Sequence, residues 1–247
     1  MIQPSKQQIE TFLETTRFSG YQSVPLPYDL RVPGLNKKEA VDFYLDGRVQ
    51  GKSVLDVGTY YGLYPCEAIS RGAARAVGIE QDAERYSIAR RIAEFHGASY
   101  EIRNANIEQL EETETFDLVL FLNVLHHVQD PIEAIARLAR LCRDTVLVEF
   151  CLPWDYSCLK FIKRENGRPY GRAWAMARSA FMRLTCAGLP IMAIGDREYH
   201  RTFYFSPEAF RNLFVIHHKF FESVSFAASP SSMFRRVAIC KVRRRVA

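Results

Sequence analysis

An acidic residue and two glycines stand together where an apolar run ends. The run Val54–Val57 contains Asp56, and Gly58 and Gly62 follow it at a spacing of four. A buried strand that breaks at glycines and continues into a helix leaves free N–H groups at the helix start, and such groups hold anions. The carboxylate of Asp56 adds a group that attracts a cation. This pattern predicts a site for a ligand that carries both a cationic centre and a small anionic group.

A second acid, Glu80, ends the next apolar run, about twenty residues beyond the glycines, the distance at which an acid reaches ribose hydroxyls in nucleotide-binding α/β folds. The glycine spacing does not match GxGxxG, the fingerprint that cradles a dinucleotide pyrophosphate. S-adenosylmethionine carries a sulfonium, an amine and a carboxylate, and therefore suits the acid and the loop better than a dinucleotide. The alternative is an ordinary tight turn between a strand and a helix.

Two adjacent histidines, His126 and His127, follow the strongest strand pattern of the chain, residues 116–122. Open α/β sheets bind their ligands at the carboxyl ends of the strands. An imidazole titrates near neutrality, so either histidine is a candidate general base. The alternative is a histidine that donates to a backbone carbonyl and only holds its loop. No metal site is predicted, since no third and fourth ligand stand nearby.

The elements that must position these residues alternate regularly. Within residues 51–150, the predicted cofactor-binding core, apolar strand patterns alternate with amphipathic helix patterns. This alternation predicts a parallel, doubly wound α/β sheet, because consecutive parallel strands are joined by crossover helices.

Three segments flank this core. Residues 1–50 predict a helical and extended cap, in which Ser5 caps the first helix and prolines keep the following stretch extended. Residues 151–205 mix aromatic and basic side chains and predict a helical cap over a substrate. Residues 206–247 predict a helix and a closing antiparallel pair of strands.

Composition excludes several classes. The chain has 247 residues, of which 48% are hydrophobic, so a large core is expected and disorder is not. Six cysteines form no CxxC pair, which argues against zinc and indicates buried thiols in a reducing cytoplasm. Neither a signal peptide nor an apolar run of membrane-spanning length is found, so no membrane partner is expected.

The net charge of +5 is concentrated near the C-terminus. A basic tail of this kind binds nucleic acid or anionic lipid in some proteins, but solvated terminal charge is the more common explanation. The residues concerned are Arg235, Arg236, Lys241, Arg243, Arg244 and Arg245.

The glycine loop and the segment 124–131, VLHHVQDP, resemble the class I S-adenosylmethionine-dependent methyltransferases. Their glycine motif reads roughly [DE]xGxGxG, and Tyr60 stands here where the middle glycine usually sits. The resemblance implies a Rossmann-like, mostly parallel sheet of seven strands with a helical cap insertion. It also implies cofactor contacts from Asp56, Gly58, Thr59, Tyr60, Tyr61, Gly62, Glu80, Gln81, Asn106, Ile107, Asn123 and Val124.

Three further pieces resemble the tRNA wobble-uridine methyl/carboxymethyl-transferases and their small-molecule relatives. They are Pro33-Gly34, Asn106–Leu110 and Arg201–Phe205 followed by Ser206-Pro207. This resemblance places Arg201 in the active site and aligns His127 with a family histidine. The WRKGPF-like segment whose lysine grips a carboxylated cofactor is absent from the sequence, so simple methyl transfer is expected.

The predicted function is therefore methyl transfer from S-adenosylmethionine to a small aromatic or polar metabolite. His126, His127 or Tyr199 is the expected base, and Arg201 is expected to contact the substrate or the cofactor. Two alternatives stay open, an RNA-modifying methyltransferase and a non-catalytic cofactor-binding protein. The sequence leaves the methyl acceptor, the nucleophilic atom and the oligomeric state open.

Overall fold

The structure, a computed structural model, describes most of the chain, namely residues 4–111, 113–154, 171–186, 188–194 and 203–243. Two predicted site residues, Tyr199 and Arg201, lie outside the described residues, as does much of the predicted substrate cap. The chain divides into two compact units. The first is Met1–Leu120 with Arg140–Arg143, and the second is Phe121–Ala139 with Asp144–Ala247.

Helices and strands alternate through the first part of the chain. They are α1 Lys6–Thr15, α2 Lys38–Leu45, β1 Ser53–Val57, α3 Leu63–Ser70, β2 Arg75–Glu80, α4 Ala83–Phe95, β3 Glu101–Asn104, β4 Phe116–Leu122, α5 Pro131–Leu141 and β5 Cys142–Cys151. The later elements are α6 Arg172–Cys186, β6 Met192–Ile194, β7 Phe203–Phe205, α7 Pro207–Arg211, a π-helix Asn212–His217, β8 Phe221–Ala228 and β9 Arg235–Val242. No helix among the described residues is both long and apolar enough to cross a bilayer.

Seven of the strands form one sheet in the order β3-β2-β1-β4-β5-β9-β8. β1 runs parallel to β2 and β4, and β2 runs parallel to β3. β9 is antiparallel to both β5 and β8. The predicted mostly parallel, Rossmann-like sheet with a closing antiparallel pair is thereby confirmed.

The central strands are apolar because parallel sheets are covered on both faces. In β1, Val54, Leu55 and Val57 are all buried, and β4 is buried from Leu118 onward. Asp117 is the polar exception, near the start of β4. Its carboxylate accepts hydrogen bonds from the Ser53 backbone N–H and hydroxyl, each at 2.8 Å, and thereby ties β4 to the start of β1.

The N-terminal extension is ordered by local hydrogen bonds and one close backbone approach. The predicted cap at Ser5 is confirmed, since its hydroxyl accepts from the Gln8 N–H and its own N–H donates to the Gln8 side chain. Gly20 and Gly34 then form a parallel bridge. A Cβ atom on Gly34 would lie 2.4 Å from the Gln22 carbonyl oxygen, so this position requires glycine.

Two features differ from the sequence-based expectation. The two-stranded sheet of β6 and β7 was not predicted, because three-residue strands are too short to show an alternating pattern. The helix expected at the start of residues 206–247 is a short α-helix that continues as a π-helix. Ser206 caps it, with its hydroxyl accepting from the Ala209 N–H at 3.1 Å.

Candidate active site

The loop after β1 takes a left-handed backbone conformation at three positions. The φ angles are +76° at Gly58, +59° at Tyr60 and +82° at Gly62. The N–H groups of Gly58 and Thr59 both donate to the carbonyl of Ile79, at 2.9 and 3.0 Å. The loop is therefore fixed against the end of β2 and leads directly into α3.

Tyr60 keeps the loop shape at the position where the resembled motif has glycine. A left-handed conformation costs a residue with a Cβ atom about 1–2 kcal/mol. The Tyr60 N–H donates to the Glu80 carboxylate at 2.9 Å, which helps to offset that cost. The substitution of tyrosine for glycine thus leaves the backbone path intact and adds a large side chain to the loop.

Glu80 holds backbone groups on both of its carboxylate oxygens. Oε2 accepts from Tyr60, and Oε1 accepts from the Asp82 N–H at 3.1 Å. The side chain is buried, as expected for an acid at the end of a parallel strand. Because a carboxylate has about four acceptor sites, two remain for further donors such as ribose hydroxyls.

Asp56 is a buried acid near the carboxyl end of β1. Burial raises its pKa to about 7, an effect that the Thr59 hydroxyl opposes and the charge of Glu80 reinforces. Among the described residues, the buried Oδ2 atom of Asp56 has no hydrogen-bond partner. Such an atom is costly unless a donor or a cation approaches it.

Thr59 fills the space beside β2 that the absence of a side chain at Gly78 provides. Thr59 is fully buried. A Cβ atom on Gly78 would lie 2.8 Å from both Cγ2 and Oγ1 of Thr59. Gly78, which the sequence analysis did not single out, is therefore needed for the position of the loop.

The predicted adenine-binding residues lie just after β3. The Asn106 side-chain oxygen accepts from the Glu108 N–H at 2.9 Å and forms a local turn. This contact leaves the NH₂ group of Asn106 for a ligand. Ile107 is buried and Gln81 is exposed.

The segment after β4 belongs to the second unit. Asn123 has a left-handed φ of +63°, and its side-chain oxygen accepts from Arg235 Nη1. The half-buried Val124 accepts the His127 N–H at 2.7 Å through its carbonyl. A short turn therefore presents the two histidines.

The two histidines have different environments. His126 is buried, with Nδ1 3.7 Å from the sulfur of Cys151, whereas His127 is exposed. Their ring centroids are 4.1 Å apart. His127 is therefore the histidine that can exchange a proton with a ligand or with solvent.

A buried ion pair supports Asn123. Arg235 Nη1 lies 3.8 Å from Glu149 Oε2, and the Glu149 side chain is 1% exposed. The Ser229 hydroxyl donates to the other oxygen of Glu149. The pair was not predicted, because nothing in the local sequence links Arg235 to residues some 90–110 positions earlier in the chain.

The same finding corrects the interpretation of the basic tail. Arg235 and Lys241 both belong to β9, and the Arg235 side chain is only 16% exposed, whereas the Lys241 side chain is 52% exposed. Lys241 pairs with Asp144 at 3.0 Å. Acidic partners thus neutralise two of the six basic residues.

Within the described part of the chain, no group of three His, Cys, Asp or Glu side chains is arranged to hold a metal ion. Five cysteines there form no disulfide bond, namely Cys66, Cys142, Cys151, Cys186 and Cys240. Burial raises the pKa of Cys66 to about 12, so this thiol is not a nucleophile near neutral pH.

Comparison with known families gives a match over most of the chain. A family model described as a methyltransferase domain matches residues 29–215. Among curated proteins, the ubiquinone biosynthesis O-methyltransferase of Hahella chejuensis is 38% identical over 104 residues, which cover 40% of this chain and 43% of that protein. The enzyme of the same description from Methylocella silvestris is 37% identical over 113 residues, which cover 45% of this chain and 41% of that protein. The chain thus spans about two fifths of the length of these curated relatives.

Solved structures share the fold at low sequence identity. The N-terminal domain of EvdMO1, crystallised in the presence of SAH and D-fucose, has a TM-score of 0.60 at 16% identity, and 98% of each chain is covered. Magnesium protoporphyrin IX methyltransferase (ChlM) from Synechocystis PCC 6803, with bound SAH, has a TM-score of 0.56 at 15% identity over 83% of this chain and 81% of that one. Because the family model covers more than half of the sequence, this chain belongs to the methyltransferase domain family, and its mostly parallel seven-stranded sheet with a closing antiparallel pair is the class I, S-adenosylmethionine-dependent methyltransferase fold.

Proposed function

We propose that the chain transfers a methyl group from S-adenosylmethionine to a hydroxyl group of a small, aromatic acceptor. One observation carries this proposal. In a methyltransferase-family chain, the buried Asp56 has an unpartnered carboxylate oxygen at the strand end that leads into the glycine loop. A cationic cofactor suits such an atom, since an opposite charge lowers the cost of its ionisation.

The proposed cofactor contacts follow the sequence prediction. Asp56 and Thr59 would hold the charged end of the cofactor, and the loop from Gly58 to Gly62, with Tyr60 and Tyr61, would hold its carboxylate near the N-terminus of α3. Glu80 and Gln81 would contact the ribose, and Asn106 and Ile107 the adenine. Asn123 and Val124, from the segment after β4, keep their predicted cofactor contacts on the strength of the resemblance alone.

The chain's own part in the reaction is to align the acceptor and to remove its proton. When bound, S-adenosylmethionine supplies an electrophilic methyl group on a sulfonium. Alignment of two reactants alone is worth roughly 7–11 kcal/mol in favourable cases. We assign the proton to His127, because His127 is exposed while His126 is buried beside Cys151. Arg201 keeps its predicted role at the substrate or cofactor on the strength of the resemblance alone, and Tyr199 stays the alternative base.

The choice of an oxygen acceptor on a small molecule is drawn from the curated relatives, which are described as O-methyltransferases of ubiquinone biosynthesis. The test is methyl transfer from radiolabelled S-adenosylmethionine to a panel of phenols and catechols, read as label in the extracted product. Saturable transfer to at least one aromatic hydroxyl is expected. Cofactor binding without transfer to any acceptor would favour a non-catalytic cofactor-binding protein.

The role of His127 has its own test on the same acceptor. His127→Ala should lower kcat about 10²–10⁴-fold with little change in cofactor affinity, since a general base contributes that much. His126→Ala is the matched control, because it removes the neighbouring ring and should lower kcat far less. Equal kcat values for His127→Ala and the unaltered protein would exclude His127 as the base.

An RNA acceptor is the second candidate, favoured by the resemblance to the wobble-uridine enzymes. The pairing of Arg235 and Lys241 with acids weighs against it, because fewer cations remain for phosphates. Binding to tRNA that falls steeply with added salt, followed by labelling of the tRNA, would support the RNA acceptor. Absence of RNA binding at low salt would exclude it.

The segment boundaries and the cellular location also remain proposals. We keep residues 51–150 as the cofactor core, with 1–50 and 151–205 as caps and 206–247 as the closing helix and strands. A cytoplasmic location suits the absence of disulfide bonds among the described cysteines, since reducing compartments keep disulfides from forming.

A further inference from the structure

We propose that residues Phe18–Ser23, here called the strap, retain the bound cofactor, and that Tyr60 is the positioning residue that docks the strap on the glycine loop. This role rests on the proposed function, since it acts on the same cofactor site. It goes further by assigning a role to Tyr60, which stands at the position of the motif glycine.

Three hydrogen bonds join the strap to the loop. The Tyr60 hydroxyl donates to Ser19 Oγ, and the Ser19 N–H donates to the Tyr61 hydroxyl at 3.3 Å. The Tyr61 N–H donates to the side-chain oxygen of Gln22, also at 3.3 Å. All three bonds use the two tyrosines that stand between Gly58 and Gly62, so the strap and the loop cannot move independently while the bonds hold.

Ring contacts reinforce the same connection. The Tyr60 and Tyr21 rings meet edge to face, with centroids 4.9 Å apart. The Arg85 guanidinium lies over the Tyr60 ring at 4.9 Å, and the Lys37 ammonium lies over the Tyr21 ring at 3.5 Å. Edge-to-face ring pairs and cation–π contacts are both attractive. A glycine at position 60 would lose both contacts of the Tyr60 ring, the one with Tyr21 and the one with Arg85.

The two ends of the strap differ in how firmly they are held. Gln22 is buried, and its backbone lies so close to Gly34 that no side chain fits between them. The bond between Tyr60 and Ser19 is exposed. Opening of the strap should therefore begin at Ser19, while Gln22 stays in place.

This difference defines the expected effect on the cofactor. A ligand held by the N–H groups of the glycine loop can leave only when the loop loosens. The strap restrains Tyr60 and Tyr61, the two residues at the centre of that loop. Loss of the Ser19–Tyr60 bond should therefore speed cofactor release more than it slows cofactor entry. A neutral hydrogen bond contributes about 0.5–1.5 kcal/mol, which corresponds to a rise of about two- to twelve-fold in the release rate.

The test is stopped-flow measurement of S-adenosylhomocysteine release from the full chain. Ser19→Ala and Tyr60→Phe each remove one partner of the bond, so each should raise the release rate, and the double variant should be no faster than the faster single variant. Tyr60→Gly should give a larger rise, because it also removes the ring contacts while glycine accepts the left-handed backbone without strain.

Tyr28→Phe is the matched control. It removes a tyrosine hydroxyl of the same N-terminal extension that donates to the Pro4 carbonyl at 3.0 Å, away from the loop. Its release rate should equal that of the unaltered protein. Unchanged rates for Ser19→Ala and Tyr60→Phe in a chain that binds cofactor would overturn the strap alone. If the unaltered protein binds neither S-adenosylmethionine nor S-adenosylhomocysteine, the proposed function is overturned together with the strap.

Discussion

The glycine loop and the segment after β4 stabilise their buried acids in opposite ways. At the loop, Asp56 is buried with an unpartnered oxygen, and its pKa is raised to about 7. After β4, Glu149 is as deeply buried, and its Oε2 likewise has no hydrogen-bond partner among the described residues. That oxygen, however, lies 3.8 Å from Arg235 Nη1, and the other oxygen accepts a hydrogen bond from Ser229. Among the described residues, Glu149 therefore has a cationic partner, and no ion pair is found for Asp56.

The difference indicates which acid is suited to a ligand. An acid whose charge is already compensated contributes to the structure, because a second cation would gain little there. An acid that is costly to ionise gains most from a cationic ligand. We infer that Asp56 is the acid for the cofactor and that Glu149 supports Asn123 through Arg235.

The largest expected effect comes from breaking the compensated pair. Arg235→Met should lower the free energy of unfolding by about 3–5 kcal/mol, because it leaves Glu149 buried with an uncompensated charge. Urea unfolding measures this change. Arg243→Met, at an exposed position of the same basic stretch, is the control and should lie within about 0.5 kcal/mol of the unaltered protein.

The double variant Glu149→Gln/Arg235→Met sharpens this result. It should recover part of the lost stability, since it removes the stranded charge along with its partner. A double variant less stable than Arg235→Met would contradict the account, because it would show that the Glu149 carboxylate stabilises the fold without Arg235.

Removal of the Asp56 carboxylate should have the opposite effect and raise the free energy of unfolding. The pKa of Asp56 lies above its unfolded value, so the folded chain binds the extra proton between about pH 4 and pH 7 and loses stability as pH rises through that window. Asp56→Asn removes the ionisation. Its stability advantage in urea should be larger at pH 8 than at pH 5 by about 2–3 kcal/mol.

If instead the advantage of Asp56→Asn were the same at both pH values, Asp56 would titrate normally in the folded chain. Asp117→Asn offers a contrast, because hydrogen bonds from Ser53 and Arg143 lower the pKa of that carboxyl despite its partial burial. Its stabilising contribution is present above the unfolded pKa and disappears in acid, so the sign of its pH dependence is reversed.

A smaller effect is expected from filling the space beside Thr59. Gly78→Ala places a Cβ atom 2.8 Å from the Thr59 side chain and should destabilise the fold toward the lower end of about 1–3 kcal/mol. It should also weaken cofactor binding, because Thr59 would shift beside Asp56. Gly97→Ala is a useful comparison. Its Cβ would meet no atom of the described residues within 4 Å, but the left-handed φ of +66° strains alanine, so it should lower stability by about 1 kcal/mol and leave cofactor binding unchanged.

The features that the sequence predicted are local ones. Asp56, Gly58, Gly62 and Glu80 fall within two consecutive strand-to-helix turns, so their spacing alone indicates a nucleotide-type site. The alternation of strands and helices likewise predicted the mostly parallel sheet, which is confirmed. In these cases, neighbours in the sequence determine the geometry.

What could not be predicted depends on contacts between distant residues. Arg235 reaches Asn123 only because β9 pairs with β5 in one register, with Arg235 opposite Cys151. The partnership of Ser19 with Tyr60 joins residues 41 positions apart and has no sequence pattern of its own. The sequence alone therefore places Arg235 in a solvated tail and gives no structural reason for a tyrosine at position 60.

The most direct test of the central claim is calorimetric titration of the chain and of Asp56→Asn with S-adenosylmethionine at pH 8. The unaltered chain should bind one equivalent of cofactor, and Asp56→Asn should bind about 10–150-fold more weakly, since hydrogen bonds to a charged group contribute about 1.5–3 kcal/mol. Equal affinity in the two proteins would contradict the assignment of Asp56 to the cofactor. Absence of saturable binding by the unaltered chain would contradict the proposed methyltransferase activity itself.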